Sequence, residues 1–152
     1  MPFYSRSYEL RWSDADANGH IRHSVYSEIG AEVRIAWFAD CGFPWKRFGE
    51  MGLGPVLLRE ELEYRREIEL GEHVRIDLRA AGLSPDAARW KIRHELCKAD
   101  GQLAARIAVL GGWIDLSKRR LTRPTEELAA MLRGAARDAD FEELPSLKPR
   151  ED

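Results

Sequence analysis

The stretch of sequence that decides the fold is residues 11–38, RWSDADANGHIRHSVYSEIGAEVRIAWF. Its first half is polar and contains Asn18-Gly19, a pair that is typical of turns. Its second half repeats apolar residues at helical spacing between Val25 and Trp37. The pattern therefore predicts a polar loop that leads directly into one long helix.

Strand-like patterns lie on both sides of this stretch. Alternating apolar and polar residues predict a half-buried strand over roughly 3–12, and four further strand-like segments follow the long helix. The connections between these segments are short, which requires antiparallel pairing. A closing helix can begin at Pro124. One long helix against one antiparallel sheet of about five strands is an α+β architecture.

The length of 152 residues is typical of a single domain. We expect this domain to span 1–137, because 138–152 is acidic, contains proline and is typical of a flexible C-terminal tail. The 24 basic and 26 acidic side chains nearly cancel, so no nucleic-acid partner is expected.

The sequence contains no signal for export or membrane insertion. No apolar run reaches the roughly 18 residues of a transmembrane helix, and the first residues lack the apolar core of a secretory signal. Cys41 and Cys97 have no CxxC spacing, which is typical of free thiols in a reducing cytosol. We therefore expect a cytoplasmic protein with no membrane partner.

The loop before the long helix, DADANGHIRH at 14–23, holds the densest cluster of functional side chains. A first interpretation is calcium binding. The twelfth position of an EF-hand loop should be a glutamate and here is Val25, and the segment before the loop predicts a strand where an EF-hand needs a helix. Calcium is therefore the weaker interpretation, although five residues match EF-hand positions: Asp14, Asp16, Asn18, Gly19 and Ile21.

A second interpretation is a transition-metal site, whose ligands would be Asp14, Asp16, His20 and His23. A third is hydrolysis of an ester or thioester without a metal. A carboxylate ahead of a helix N-terminus can act as general base or nucleophile, and the helix N–H groups can hold the developing oxyanion. The structural alternative is that Asp14, Asp16 and Asn18 only shape the turn.

The same stretch resembles the signature of the 4-hydroxybenzoyl-CoA thioesterase-like acyl-CoA thioesterases, which have the hotdog fold. In that family a strand precedes D-x-D-x-x-G-H-(I/V), a tyrosine and a helix that contains E-x-R. Later stretches, LEYRREIELGEHVRI and ADGQLAARIAVLGGWIDLSKRRLTRPTEEL, resemble the family's later strands and closing helix, so the likeness covers about residues 8–132. The signature matches here at Asp14, Asp16, Gly19, His20, Ile21, Tyr26, Glu32 and Arg34.

The resemblance implies a long central helix that is wrapped by a curved antiparallel sheet, which fits the small residues Gly30, Ala31 and Ala36. It also implies a homodimer whose sheets join, often paired again into a homotetramer, with the site at the dimer interface. The implied substrate is a thioester of CoA or of acyl carrier protein. The implied chemistry needs no metal and no bound cofactor.

The resemblance further implies roles for individual residues. The family's catalytic aspartate falls on Asp16, and the backbone N–H that polarises the thioester carbonyl falls near His23. Asn18 and His20 are candidate helpers, because their spacing resembles the D-x-N-x-H stretch of plant acyl-ACP thioesterases. The candidate substrate-binding residues are Gly19, Tyr26, Glu32 and Arg59.

The chain departs from the family pattern at Ala17, where some members have proline, and at Arg22 and His23, where an asparagine pair is common. Direct attack by Asp16 and activation of water by Asp16 both remain open, as does the acyl group. Two alternatives to hydrolysis remain. One is a non-catalytic protein that binds acyl thioesters or small ligands on the same fold, and the less favoured one is a metal-binding protein that uses the loop 14–23.

Overall fold

The computed structural model describes residues 2–148. Within them the helices are α1 (His23–Asp40), α2 (Trp45–Met51) and α3 (Glu126–Gly134), and a 3-10 turn covers Trp12–Asp14. The strands are β1 (Tyr4–Glu9), β2 (Leu53–Tyr64), β3 (His73–Leu83), β4 (Arg89–Cys97), β5 (Leu103–Asp115), β6 (Arg120–Thr122) and β7 (Arg137–Glu143). Among the described residues, no helix is both long and apolar enough to cross a lipid bilayer.

All the strands belong to one sheet. Its main path is β1-β3-β4-β5-β2, in which every neighbouring pair is antiparallel. Within residues 2–148, β2 pairs only with β5, so it forms an edge of the sheet. The prediction of about five strands matches this path but is too low for the sheet. It missed β6, which is three residues long and pairs with β5, and β7, which runs parallel to β3.

The C-terminal segment that the sequence predicts to be flexible begins at Asp138, and its first part is ordered. Residues 138–143 belong to β7, and the side chain of Asp138 is buried. Its carboxylate forms ion pairs with Arg93 and, at 3.7 Å, with Arg79. The flexible tail was predicted from the composition of the segment alone, and composition does not show that Arg79 and Arg93 lie beside Asp138 in the folded sheet. Residues 149–152 lie outside the described part of the chain.

The helix α1 packs its apolar side on one face of the sheet, which we call the inner face. Val33 of α1 and Ile107 and Val109 of β5 are completely buried in this core. At Gly30 a Cβ atom would lie 3.4 Å from the side chain of Ile107 and 3.3 Å from that of Arg34. The small residue therefore permits the close approach between helix and sheet.

Trp90 occupies space that a second glycine leaves free. Gly111 lies opposite Trp90 in the β4–β5 ladder, and a Cβ atom there would lie 2.2 Å from two carbons of the indole ring. Trp90 is 2% exposed, so its ring cannot move outward without opening the core. The sheet therefore requires glycine at this position.

Candidate active site

The loop between the 3-10 turn and α1 closes on itself through backbone hydrogen bonds. Ala15 pairs with Ile21 as an isolated bridge, and the N–H of Asp16 donates to the carbonyl of His20 at 2.7 Å. Gly19 has φ +77°, a left-handed conformation that favours glycine. The turn predicted from the Asn-Gly pair is thus present, and it presents the intervening side chains to solvent.

Asp14 is turned inward and fastens the base of the loop. It is 4% exposed, and its carboxylate accepts hydrogen bonds from the backbone N–H of Arg11 at 2.9 Å and from the Arg11 guanidinium at 3.3 Å. Burial acts to raise the pKa of Asp14, but the bonds from Arg11 outweigh it and hold the pKa below its ordinary value. The turn-shaping interpretation therefore fits Asp14.

Asp16 has a different environment, because it is exposed. Its Oδ1 accepts the backbone N–H of Asn18 at 2.8 Å and that of His20 at 3.3 Å. Within residues 2–148 its Oδ2 has no hydrogen-bond partner. The loop thus fixes the orientation of the carboxylate through one oxygen and leaves the other free to accept a proton or to attack a carbon atom.

The N-terminus of α1 lies directly after this loop. Arg22 is the N-cap residue, and no side chain within the described residues caps the helix there. The first N–H groups of a helix have no partner within the helix, and they carry the positive end of its dipole. The N–H groups of His23 and Ser24 are therefore available to a carbonyl oxygen that gains negative charge.

Residues 67–69, which the sequence analysis did not identify as part of the site, contact the side of the loop. His20 Nε2 lies 3.2 Å from the carboxylate of Glu67, and His20 also forms a backbone bridge with Glu69. The N–H of Ile21 donates to the carbonyl of Ile68 at 2.9 Å. Glu67 looks like an ordinary surface glutamate in the sequence, and only the pairing of the two distant segments reveals its contact with His20.

The predicted substrate-binding residues do not all meet at the loop. Tyr26 is buried, with its ring 5.0 Å from that of Tyr64, and burial raises its pKa. Glu32 is exposed and lies nine residues beyond His23, about 14 Å along the helix axis. Arg59 is exposed and pairs with Glu61 at 2.5 Å. Within one chain, Glu32 and Arg59 are separated from the loop, and their roles stay predictions.

Two clefts among the described residues open on the outer face of the sheet, opposite α1. Their volumes are about 720 and 760 Å³, and residues of the loop line neither of them. Their walls are charged, with Glu95 common to both. Neither of these two clefts includes the loop, whose residues 16–19 are exposed at the surface.

The metal interpretations depend on whether the carboxylates converge. Asp14 faces Arg11, whereas Asp16 faces its own turn. Val25, at the twelfth position of the EF-hand pattern, is buried in the core. Within residues 2–148, no group of three or more His, Cys, Asp or Glu side chains is arranged to hold a metal ion.

Comparisons with known proteins agree with this fold. The family model described as the thioesterase-like superfamily matches residues 10–132. A protein of Aquifex aeolicus, named as a proposed esterase, is 31% identical over 84 residues, which are 55% of this chain and 65% of that protein. This alignment thus spans a little less than two thirds of that relative.

Solved structures show the same fold at low sequence identity. A Staphylococcus aureus protein in complex with CoA has a TM-score of 0.81 and 20% identity, covering 99% of this chain and 90% of that one. A 1,4-dihydroxy-2-naphthoyl-CoA thioesterase from Synechocystis has a TM-score of 0.78 and 15% identity, covering 88% and 97%. The chain belongs to the thioesterase-like superfamily. The hotdog thioesterase family expected from the sequence is thereby confirmed.

Proposed function

We propose that this protein hydrolyses an acyl-CoA thioester to CoA and a free carboxylic acid. The observation that carries the proposal is the carboxylate of Asp16, which is fixed through Oδ1 and free at Oδ2, immediately before the uncapped N-terminus of α1. A thioester carbonyl that accepts the N–H groups of His23 and Ser24 is polarised for attack. Family membership and the CoA-bound structural relative support the same substrate class.

Asp16 acts by one of two routes, as general base or as nucleophile. As general base, it takes a proton from water, the hydroxide attacks the carbonyl carbon, and the C–S bond breaks; the proton held by Asp16 then passes to the departing CoA thiolate, which restores the carboxylate. As nucleophile, it forms a mixed anhydride as CoA leaves, and water then hydrolyses the anhydride. In both routes the helix N–H groups stabilise the tetrahedral oxyanion.

The neighbouring residues hold this carboxylate in place. The backbone N–H of Asn18 and of His20 orient Asp16, and Gly19 permits the turn that brings them there. Glu67 orients the ring of His20, which serves as a helper beside Asp16 in either route. The groups required for hydrolysis thus come from protein side chains and backbone, with no bound cofactor.

The site is completed by a second copy of the chain, which pairs along the edge strand β2. Leu57, Leu58 and Tyr64 on this strand are 41%, 42% and 51% exposed, so the edge presents apolar surface to a partner. An unpaired edge with apolar side chains favours pairing with another strand. A homodimer joined there would wall the shallow surface around the loop, and two dimers could then form a tetramer.

A panel of acyl-CoA substrates tests the proposed reaction. Purified protein is incubated with aryl, short-chain and long-chain acyl-CoA, and released thiol is measured. We expect turnover of at least one class. Stabilisation by CoA esters without any thiol release would instead show the non-catalytic binding protein. Acyl carrier protein thioesters belong in the same panel, because they share the reacting group.

Labelled water separates the two routes. In a single turnover in ¹⁸O-water, the general-base route places the label in the product acid. The nucleophilic route places it in the Asp16 carboxylate when water attacks the aspartyl carbon of the anhydride, and in the product acid when water attacks the acyl carbon. Label in the Asp16 peptide, measured by mass spectrometry, therefore identifies the nucleophilic route.

A further inference from the structure

Tyr64, the last residue of β2, reaches the start of α1. Its hydroxyl donates a hydrogen bond to the carbonyl oxygen of His23 at 3.3 Å. That carbonyl belongs to the same peptide group as the N–H of Ser24. Tyr64 thus contacts one end of a peptide group whose other end is one of the two donors proposed for the oxyanion.

The helix itself does not need this hydrogen bond. Within α1, the carbonyl of His23 already accepts the N–H of Ser27, four residues further on. The groups that lack a partner in the first turn of a helix are N–H groups, whereas its carbonyl groups are satisfied. The hydroxyl of Tyr64 therefore adds a second hydrogen bond to a carbonyl whose helical bond is already made.

Both the backbone and the ring of Tyr64 are held in place. Immediately after Tyr64, the N–H groups of Arg65 and Arg66 both donate to the carbonyl of Ala104, at 2.8 and 3.0 Å. The ring of Tyr64 meets the buried ring of Tyr26 edge-on, with the two centroids 5.0 Å apart. The hydroxyl is therefore positioned by packing that does not depend on its own hydrogen bond.

The N–H of Ser24 is available to a ligand oxygen. Within residues 2–148, no protein acceptor bonds this N–H, whereas the next one along the chain, that of Val25, donates to the carbonyl of Arg22 at 3.1 Å. Ser24 is exposed, and its hydroxyl accepts Nε of Arg22 at 3.1 Å. The peptide group between His23 and Ser24 thus has its carbonyl bonded twice and its N–H free.

We propose that Tyr64 is a positioning residue, whose hydroxyl strengthens and orients the Ser24 N–H as a donor to the oxyanion. This inference rests on the proposed function. A peptide carbonyl that accepts a further hydrogen bond is more polarised, and the N–H of the same peptide group then becomes a stronger donor. The bond also fixes the plane of the peptide group, and donors that are fixed before the reaction stabilise the oxyanion without reorganisation.

The size of the effect follows from two general magnitudes. One oxyanion-hole donor contributes roughly 100- to 1,000-fold to kcat, and one hydrogen bond strengthens the next in a chain by about 10–30%. Applied to the free energy of one donor, this fraction corresponds to a change in kcat of roughly 2- to 8-fold. Because 3.3 Å is long for an O–H···O hydrogen bond, we expect the lower part of this range, roughly 2- to 4-fold.

Tyr64→Phe tests the inference, because phenylalanine keeps the ring beside Tyr26 and removes only the hydroxyl. We expect kcat on the best acyl-CoA substrate to fall roughly 2- to 4-fold, with KM within about twofold of wild type. In NMR spectra of the labelled protein, the amide proton of Ser24 should move upfield, because its peptide group is less polarised. Both proteins are compared at a concentration at which sedimentation velocity gives them the same oligomeric state, since Tyr64 lies on the edge strand.

Tyr4→Phe is the matched control. The hydroxyl of Tyr4 also donates to a residue of α1, Oδ2 of Asp40, at 2.6 Å. Asp40 is the last residue of the helix and lies about 25 Å along its axis from His23. This variant should keep the kinetics of the wild type and the position of the Ser24 amide signal. An equal loss of kcat in both variants would overturn the inference, because it would show a general effect of removing a bond to the helix.

A Tyr64→Phe protein with the kcat of the wild type, or with an unmoved Ser24 amide proton, would also overturn the inference. So would a raised KM at unchanged kcat, which indicates a role in binding the substrate. Failure of the proposed reaction gives a different result, because the wild type would then release no thiol from any acyl-CoA. In that case the Ser24 amide signal decides: an upfield shift in Tyr64→Phe but not in Tyr4→Phe upholds the effect of Tyr64 on this donor, and its absence overturns it.

Discussion

His94 should make the stability of this protein sensitive to mild acid. Its ring is completely buried, Nδ1 donates to the carbonyl of Asp77 at 2.7 Å, and Nε2 accepts from Arg34 at 3.0 Å. Both contacts are satisfied by the neutral ring. Burial, and then the charge of Arg34, lower the pKa of His94 from 6.5 to about 3 in the folded protein, against the opposing effect of the Asp77 carbonyl.

The direction of the effect follows from proton uptake. Between pH 6.5 and 3 the unfolded chain protonates His94 but the folded chain does not. The contribution of His94 is therefore complete above the unfolded pKa and is lost as pH falls. Each pH unit below 6.5 costs about 1.4 kcal/mol. At pH 4.5 the loss is about 3 kcal/mol, a large part of the stability of an ordinary domain.

Urea unfolding of wild type and His94→Gln between pH 4.5 and 7.5 measures this loss. Glutamine does not titrate, and its amide can still accept from Arg34 and donate to Asp77. The variant should be less stable at pH 7.5, and the difference should shrink by about 1.4 kcal/mol per pH unit below 6.5. Carboxylates titrate in both proteins and cancel in the difference. A difference that stays constant with pH would refute the reasoning.

Three further perturbations follow from particular contacts. Gly111→Ala should lower the free energy of unfolding in urea by about 3 kcal/mol, because its Cβ would collide with the buried Trp90 ring. A loss of stability under about 0.5 kcal/mol would contradict that packing. Asp14→Asn should lower the free energy of unfolding by about 1–3 kcal/mol at pH 7, since it weakens the hydrogen bonds from Arg11. This difference from the wild type should disappear as pH falls through the lowered pKa of Asp14. Leu58→Lys on the edge strand should convert a dimer to a monomer in sedimentation velocity, and an unchanged dimer would show that β2 is not the contact.

The local features of the fold could be predicted because they depend on residues close in sequence. The Asn18-Gly19 turn, the helical spacing from Val25 onward and the five main strands each have a short-range pattern. The loop at Asp16 was also identifiable, since its turn forms from hydrogen bonds within five residues.

The features that sequence reasoning missed depend on pairing between distant segments. The strand β7 is held by Arg79 and Arg93, which face Asp138 only after the sheet has formed. Likewise, Glu67 meets His20 across 47 positions of chain. No local sequence pattern distinguishes charged side chains that form such long-range pairs from charged side chains that do not.

The measurement that tests the central claim most directly is kcat of Asp16→Asn on the best acyl-CoA substrate. Asp100→Asn is the matched control, because Asp100 is also exposed and orients its own turn through the N–H of Gln102 at 2.9 Å. Asparagine can preserve the turn but can neither take the proton nor attack the thioester. We predict that kcat falls at least about 100-fold in Asp16→Asn, with KM nearly unchanged, whereas Asp100→Asn keeps wild-type kinetics. A folded Asp16→Asn protein with kcat within about twofold of wild type would contradict the account.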